Sequence, residues 1–165
     1  MRTSEECASV QEMPSTRAKK RRGGFQRLEC RTDLATSVRM AGIRQRDTKP
    51  ELIVRRELHA LGHRFRVRNQ DLPGSPDIAN RSRGWVVFVH GCFWHRHDGC
   101  SRTTTPKRNR AFWVDKFETN QRRDAARRSD LQGDGFHVLV VWECETSDPL
   151  TLRARLHREI SENFV

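Results

Sequence analysis

WVVFVHGCFWHRHDGC, residues 85–100, is the stretch that decides how this chain folds. Its first part, Trp85–His90, is apolar almost without interruption, as expected of a strand buried on both faces at the centre of a sheet. The character then changes, because His90–Cys100 holds His90, His95 and His97, the cysteines Cys92 and Cys100, and the adjacent rings of Phe93 and Trp94. A second apolar run, HVLVVWEC (137–144), lies beyond a long charged segment. That segment, NRAFWVDKFETNQRRDAARRSDLQ (109–132), reads as a helix with Trp113 and Phe117 on one face, and GDGF (133–136) closes it. Strand, helix and strand in this order predict a right-handed crossover between parallel strands. Parallel strands end together, so His90–Cys92 and Glu143–Cys144 are expected at one sheet edge.

Working outward, ordered structure is expected from about SVRM (37–40). Thr48 and Glu51 have the spacing of a capping box. Val54, Leu58 and Leu61 recur at helical spacing, and Gly62 is placed to end a helix of about four turns. RFRVR (64–68) alternates as a strand, QDLPGSPDIA (70–79) is a loop entering a second strand, and RSRG (81–84) turns into Trp85–His90. Leu152, Leu156 and Ile160 mark a closing helix. The fold class is α/β, a mixed sheet flanked by helices, over residues 33–165. Residues 1–32 read as a basic disordered tail that scans phosphate, or as a start-site extension.

The 165-residue chain is long enough for one domain with a core and too short for two of ordinary size. Its net charge is +11, carried by 27 arginines and 5 lysines. Arginine's planar fork suits phosphate oxygens, which points to a polyanionic partner; the alternative is an arginine-rich solvated surface. No run is long and apolar enough to cross a bilayer, and no signal-peptide core is visible, so a cytoplasmic protein is expected. In that compartment five cysteines are poor material for disulfides.

Cys92, His97 and Cys100 are spaced to wrap one ion in a single loop, and the strand geometry brings Cys144 to the same edge. Three thiolates and one imidazole suit a closed tetrahedral Zn2+ site, hence a structural one; the competing reading is small buried cysteines with surface histidines. A catalytic zinc of the nucleobase-deaminase type would need H-x-E and P-C-x-x-C, and neither occurs. Cys7 and Cys30 stand outside the cluster. Asp77, in SPDIA, follows a proline where a loop enters a strand. Alone, such a pair is more often a turn or cap.

MAGIRQRDTKPE (40–51), LPGSPDI (72–78), FVHGCFWHRH (88–97), RAFWVDKF (110–117), RRD (122–124) and VLVVWEC (138–144), in this order, resemble the very short patch repair endonucleases, DNA mismatch endonucleases that act on T·G mispairs. The resemblance covers residues 33–145. It implies a restriction-endonuclease-like fold in which the usual acid-x-lysine, here Phe88, Val89 and His90, is replaced by histidine chemistry. It further implies Mg2+ bound by the Asp77 carboxylate and the Val89 backbone carbonyl, a position where many members carry threonine. Glu51 and His90 would hold metal-bound waters, and His95 would be the general base or acid. Arg96 stands where another histidine can occur, and His97 is taken as the zinc ligand. For Phe93 and Trp94 the ordinary alternative is core packing, but two adjacent rings in a ligand-dense loop cannot easily both face a core; they are expected to face solvent without DNA and, with Met40 from the other side, to wedge into the base stack at the mispair.

The implied function is Mg2+-dependent nicking of one strand, 5′ of the mispaired thymine that arises when 5-methylcytosine deaminates. The implied enzyme is a monomer in the bacterial cytosol, associated with the nucleoid and served by mismatch-repair proteins. Two rival readings are a restriction- or transposon-associated nuclease indifferent to mismatches, and a noncatalytic zinc-containing DNA-binding module.

Overall fold

The computed structural model describes residues 38 and 40–161; the basic segment 1–32, with Cys7 and Cys30, lies outside them. Helix α1 (Lys49–Ala60) opens on Pro50, whose missing N–H costs nothing in a first turn. Thr48 is its N-cap, but the reciprocal capping box expected of Thr48 and Glu51 does not form. The Thr48 hydroxyl donates to Glu51 Oε1 (2.8 Å), while Glu51 Oε2 accepts the Asp47 N–H (3.0 Å). Arg55 is the reason. It donates to Glu51 at 2.9 Å and to Asp47 at 2.5 Å, and these charge-assisted bonds outcompete a neutral cap. The helix has 12 residues, a little over three turns rather than four. Gly62, at φ +80°, ends it with the paired bonds Gly62 N–H to His59 C=O (2.9 Å) and His63 N–H to Leu58 C=O (3.0 Å).

Four strands follow, β1 (Arg66–Val67), β2 (Ile78–Asn80), β3 (Trp85–His90) and β4 (His137–Trp142), in the spatial order β1-β2-β3-β4. The first two junctions are antiparallel, and β3 pairs with β4 in parallel, as the two apolar runs predict. The strand read from RFRVR shrinks to Arg66–Val67. Arg68 takes a left-handed φ of +62°, which takes the chain out of extended conformation. The crossover between β3 and β4 is carried by α2 (Arg110–Gly133). After β4 the chain does not stay extended to Cys144; it turns into a 3-10 segment, Glu143–Ser147, and then α3 (Pro149–Ser161). The turn is set by Glu145, whose carboxylate accepts the Trp142 N–H at 2.7 Å.

Alternation along the strands makes two cores. Trp85 and Val87 of β3, with Leu139 and Val141 of β4, face α1 and α3 and meet Val54, Leu58, Leu152, Leu156 and Ile160. Val86 and Phe88 face the other way, onto Ala79 and Leu131. Both faces of β3 are covered, which is why its sequence is continuously apolar rather than alternating. Truncating a fully buried side chain such as Leu156 to alanine would cost about 2–5 kcal/mol. One buried charge lay outside the sequence reading. Glu57, only 1% exposed, ties α1 to α3 through Arg153 (Nη2 at 2.7 Å) and also meets Arg56 Nε at 3.0 Å. Burial pushes its pKa up, but the two guanidiniums prevail and hold it below the usual carboxylate range.

Candidate active site and metal centre

The β3–β4 register ends on the pair His90 and Trp142, so everything that follows each strand emerges side by side. Beyond His90 the chain coils tightly: the His95 N–H reaches Gly91 C=O (3.1 Å) and the His97 N–H reaches Cys92 C=O (3.1 Å). Thr103 pins the coil by donating to the carbonyls of Cys92 (3.1 Å) and His97 (2.8 Å). Cys144 arrives from the 3-10 turn. Cys92, His97, Cys100 and Cys144 thereby present one donor atom each within 4.8 Å of one another. His97 Nδ1 lies 3.7 Å from Cys92 Sγ and 3.3 Å from Cys144 Sγ. A tetrahedral zinc with S and N ligands has donor separations of about 3.5 Å, so the set fits such an ion in both spacing and chemistry. Burial pushes the Cys92 thiol up to about 12, whereas Cys100 is lowered, first by the Arg102 N–H. A divalent cation would deprotonate all three. Arg96 turns the other way: its guanidinium lies 5.3 Å over the Phe117 ring and donates to Thr105 (2.8 Å), leaving His97 as the imidazole at the cluster.

A cleft of about 650 Å³ opens beside the cluster and gathers Met40, Glu51, Asp77, Val89, His90, Trp94 and His95. Asp77 stands just ahead of β2 after the turn at Gly74 and Ser75. Gly74, at φ +75°, is required there, since a Cβ would come within 2.7 Å of Arg127 Cδ from α2. The Val89 N–H donates to Asp77 Oδ2 at 2.7 Å, locking the carboxylate to the end of β3. Burial raises Asp77 to about 6 despite that bond, and the nearby Glu51 adds to the rise. Two mutually repelling carboxylates in a partly buried cleft are hard oxygen donors suited to a cation such as Mg2+. His90 is buried and its pKa falls to about 3, chiefly by desolvation and then by the nearby His95, so its ring is neutral. It stacks on His95 with centroids 3.9 Å apart and planes at 11°.

Asp124 stands in the RRD motif (122–124), but the sequence reading gave it no role. Its Oδ2 lies 2.5 Å from His95 Nδ1, and with His90 and His95 it forms a second group able to hold a metal. Desolvation works to raise it, yet the hydrogen bond and charge of His95 leave it below the ordinary carboxylate value. A signal was present, because α2 buries Trp113, Phe117, Asn120, Asp124 and Leu131 on one stripe. Two polar residues in the middle of a buried stripe mark the place where a helix crosses a site rather than a core. Lys116, Arg123 and Arg127, from the same helix, line the cleft with Arg44 opposite.

The two adjacent rings stay in contact with each other but take different further neighbours, and neither is fully solvent-facing as expected. Phe93 meets Trp94, Trp113 and Phe117 edge-to-face at 5.1, 5.3 and 5.3 Å, because the apolar start of α2 offers it a receptacle. Trp94, half-buried, lines the cleft. Its backbone carbonyl is held by Asn120 Nδ2 at 2.9 Å.

Residues 31–102 match the family model of DNA mismatch endonuclease Vsr. The chain is 48% identical over 117 residues to the type II nicking enzyme V.XorIIP of Xanthomonas oryzae pv. oryzae, across 71% of this chain and 85% of that protein. It is 39% identical over 135 residues to the type II nicking enzyme V.NmeAIP of Neisseria meningitidis, across 79% and 96%. It is 42% identical over 113 residues to the DNA mismatch endonuclease Vsr of Escherichia coli, across 68% and 72%. A mixed sheet whose strand ends present acids and histidines to an arginine-walled cleft, with relatives of this kind, defines a DNA endonuclease. The chain belongs to the Vsr family of DNA mismatch endonucleases. That family implies a nuclease fold, in keeping with the four-stranded mixed sheet. Among the described residues no helix is long and apolar enough to cross a membrane.

Proposed function

We propose that this enzyme nicks one strand of duplex DNA 5′ of the thymine in a T·G mispair, as left by deamination of 5-methylcytosine, with Mg2+ at the site of cleavage and Zn2+ in the Cys3His cluster. The observation that supports it best is the convergence of Glu51, Asp77, His90 and His95 with Met40 and Trp94 in one cleft, so that phosphate chemistry and base-stack contact share a wall. The Asp77 carboxylate and the Val89 carbonyl would hold Mg2+, which supplies charge neutralisation at the scissile phosphate. The Cys92, His97, Cys100 and Cys144 side chains would hold Zn2+, which closes the loop between β3 and α2.

The chain's own groups do the rest. Asp124 engages His95 Nδ1, leaving Nε2 as the nitrogen that takes or gives a proton. His90, kept neutral by burial, and Glu51 orient water from two sides of Asp77. Lys116, Arg123 and Arg127 track the phosphate backbone. Trp94 and Met40 enter the stack at the mispair, where a wobble pair is easier to unstack than a matched one. On this reading the protein acts as a monomer in the bacterial cytosol, where repair proteins would take over the nick. An end-labelled duplex carrying one T·G pair tests the proposal. Nicking should require Mg2+, map to the 5′ side of the thymine, and vanish in Asp77→Asn while DNA binding persists. Nicking that survives either chelation of Mg2+ or Asp77→Asn would refute it.

A further inference from the structure

We infer that Trp142 is a positioning residue that couples the Cys3His cluster to the stacked pair His90–His95, so that the state of the cluster sets the geometry of the proton-transferring imidazole through a single indole ring. This rests on the function proposed above and assigns a role to a residue that belongs to neither the cluster nor the catalytic group. Its indole lies flat on the His97 imidazole, with centroids 4.2 Å apart and planes at 4°. The same ring meets His90 edge-on at 5.4 Å and 74°. His90 in turn stacks on His95 at 3.9 Å, and His95 is fixed at its far side by Asp124. A continuous file of rings therefore runs from a cluster ligand to the imidazole that handles the proton.

Trp142 is held as such a part must be. Its backbone is the last cross-strand partner of His90, and its N–H is bound by Glu145, which Arg155 of α3 grips in turn. With its backbone fixed, the ring can respond only to what its two faces and edge touch. An imidazole anchored by a metal cannot rotate, so the indole stacked on it cannot tilt, and His90 keeps its wall. If His97 loosens, the indole gains room to pivot, and the His90–His95 stack loses the surface opposite Asp124. Edge-to-face contacts depend on angle, which makes the file sensitive to such a tilt. Tryptophan is also the one side chain broad enough to cover one ring with its face and reach a second with its edge. Phenylalanine would reach only one of them.

The test compares the zinc-loaded wild type with Trp142→Leu and Trp142→Phe. Four quantities are measured: zinc retention against a chelating dye, kcat and KM on a T·G duplex, and the carbethoxylation rate of His95 by diethyl pyrocarbonate, located by mass spectrometry on the tryptic peptide 84–96. Trp142→Leu should retain zinc and KM within about twofold, lose roughly 10- to 100-fold in kcat, and modify faster at His95, since small misplacements of a catalytic group cost that much. Trp142→Phe should fall between the two. Exchanging Zn2+ for the larger Cd2+, which keeps the cluster filled and the chain folded but shifts His97, should change His95 modification in the wild type and leave the already raised rate of Trp142→Leu nearly unchanged, a loss of coupling that mere packing would not produce. Wild-type kcat and His95 reactivity in Trp142→Leu would overturn the inference, as would a loss of zinc matching the loss of activity. Should Trp142→Leu not fold, Trp142→Phe with wild-type kcat and reactivity overturns it equally. If the wild type itself fails to nick T·G DNA, the functional reading falls, and the carbethoxylation arms still decide the coupling.

Discussion

Replacing Asp124 by asparagine removes one charge from a side chain that is 9% exposed and bonded to His95 Nδ1 at 2.5 Å. The amide keeps the volume, so the stripe of α2 that carries it should pack as before. What is lost is the charge-assisted part of the bond, worth about 1.5–3 kcal/mol for a hydrogen bond to an ionised group. Arg127, whose Nη1 is 4.0 Å from the other carboxylate oxygen and which is itself partly exposed, adds little. If the bond acts when His95 gains positive charge, the whole loss falls on the chemical step. The single-turnover nicking rate on T·G DNA should then drop about 10- to 150-fold, with duplex affinity nearly unchanged. Asp124→Ala should be worse, because His95 also loses its orienting partner. Asp130→Asn, exposed on the same helix, serves as the control for charge alone. The assay uses enzyme in excess, with affinity from filter binding and folding from circular dichroism. A folded Asp124→Asn enzyme that nicks within twofold of wild type would sink the idea that Asp124 orients His95 for proton transfer.

The other predictions concern stability, metal and base contact. In metal-free buffer at pH 7, Asp77→Asn should raise unfolding free energy by on the order of 2 kcal/mol, because the native carboxyl at about 6 binds its proton more tightly than the unfolded one at 3.8. The native state then holds the extra proton between those values, so the gain should be full above pH 6, shrink as pH falls, and disappear below pH 4; denaturant melts that show no gain at pH 7 would contradict it. Cys144→Ser should lose zinc and, with it, most of the folded population, since a structural zinc contributes on the order of 10 kcal/mol; metal analysis showing folded, zinc-free wild-type protein would contradict a structural role. Trp94→Ala should fold normally and lose about 5- to 150-fold in rate on T·G substrate, the worth of roughly 1–3 kcal/mol per stacked ring. Phe93→Ala should chiefly lower thermal stability, by about 2 kcal/mol, because its half-buried ring packs on Trp113 and Phe117; equal effects of the two substitutions on both readouts would count against the division of labour.

Much of this was legible from the residues because the strands are strongly written. Trp85–His90 is buried on both faces, and His137–Trp142 is buried on one face and half-buried on the other, so both runs are largely apolar, and parallel pairing of their ends brings Cys144 to Cys92, His97 and Cys100 from 44 to 52 positions away. Three things were not legible. The capping box considers only the residues from Thr48 to Glu51, and Arg55, one turn further along the same helix, overrides it with charge. Whether a ring in a loop faces water depends on what the crossover helix offers it, and only the folded chain shows Trp113 and Phe117 waiting for Phe93. Asp124 is one acid in a helix crowded with charges, distinguished only by falling on the buried stripe. The ring file through Trp142 is a fourth case, since residues that read as strand apolars gain their role from the register alone.

The central claim is mismatch-directed nicking, and the most direct measurement is the single-turnover nicking rate on three end-labelled duplexes that differ at one position, T·G, T·A or C·G, with Mg2+ present and the cut mapped to the nucleotide. The expected result is cleavage of the thymine strand alone, on the 5′ side of that thymine, with the T·G duplex preferred by at least tenfold, as about 1.4 kcal/mol of easier unstacking would give. Equal rates on the three duplexes, or cuts in both strands, would contradict it and favour a nuclease of the same fold that does not sense mispairs.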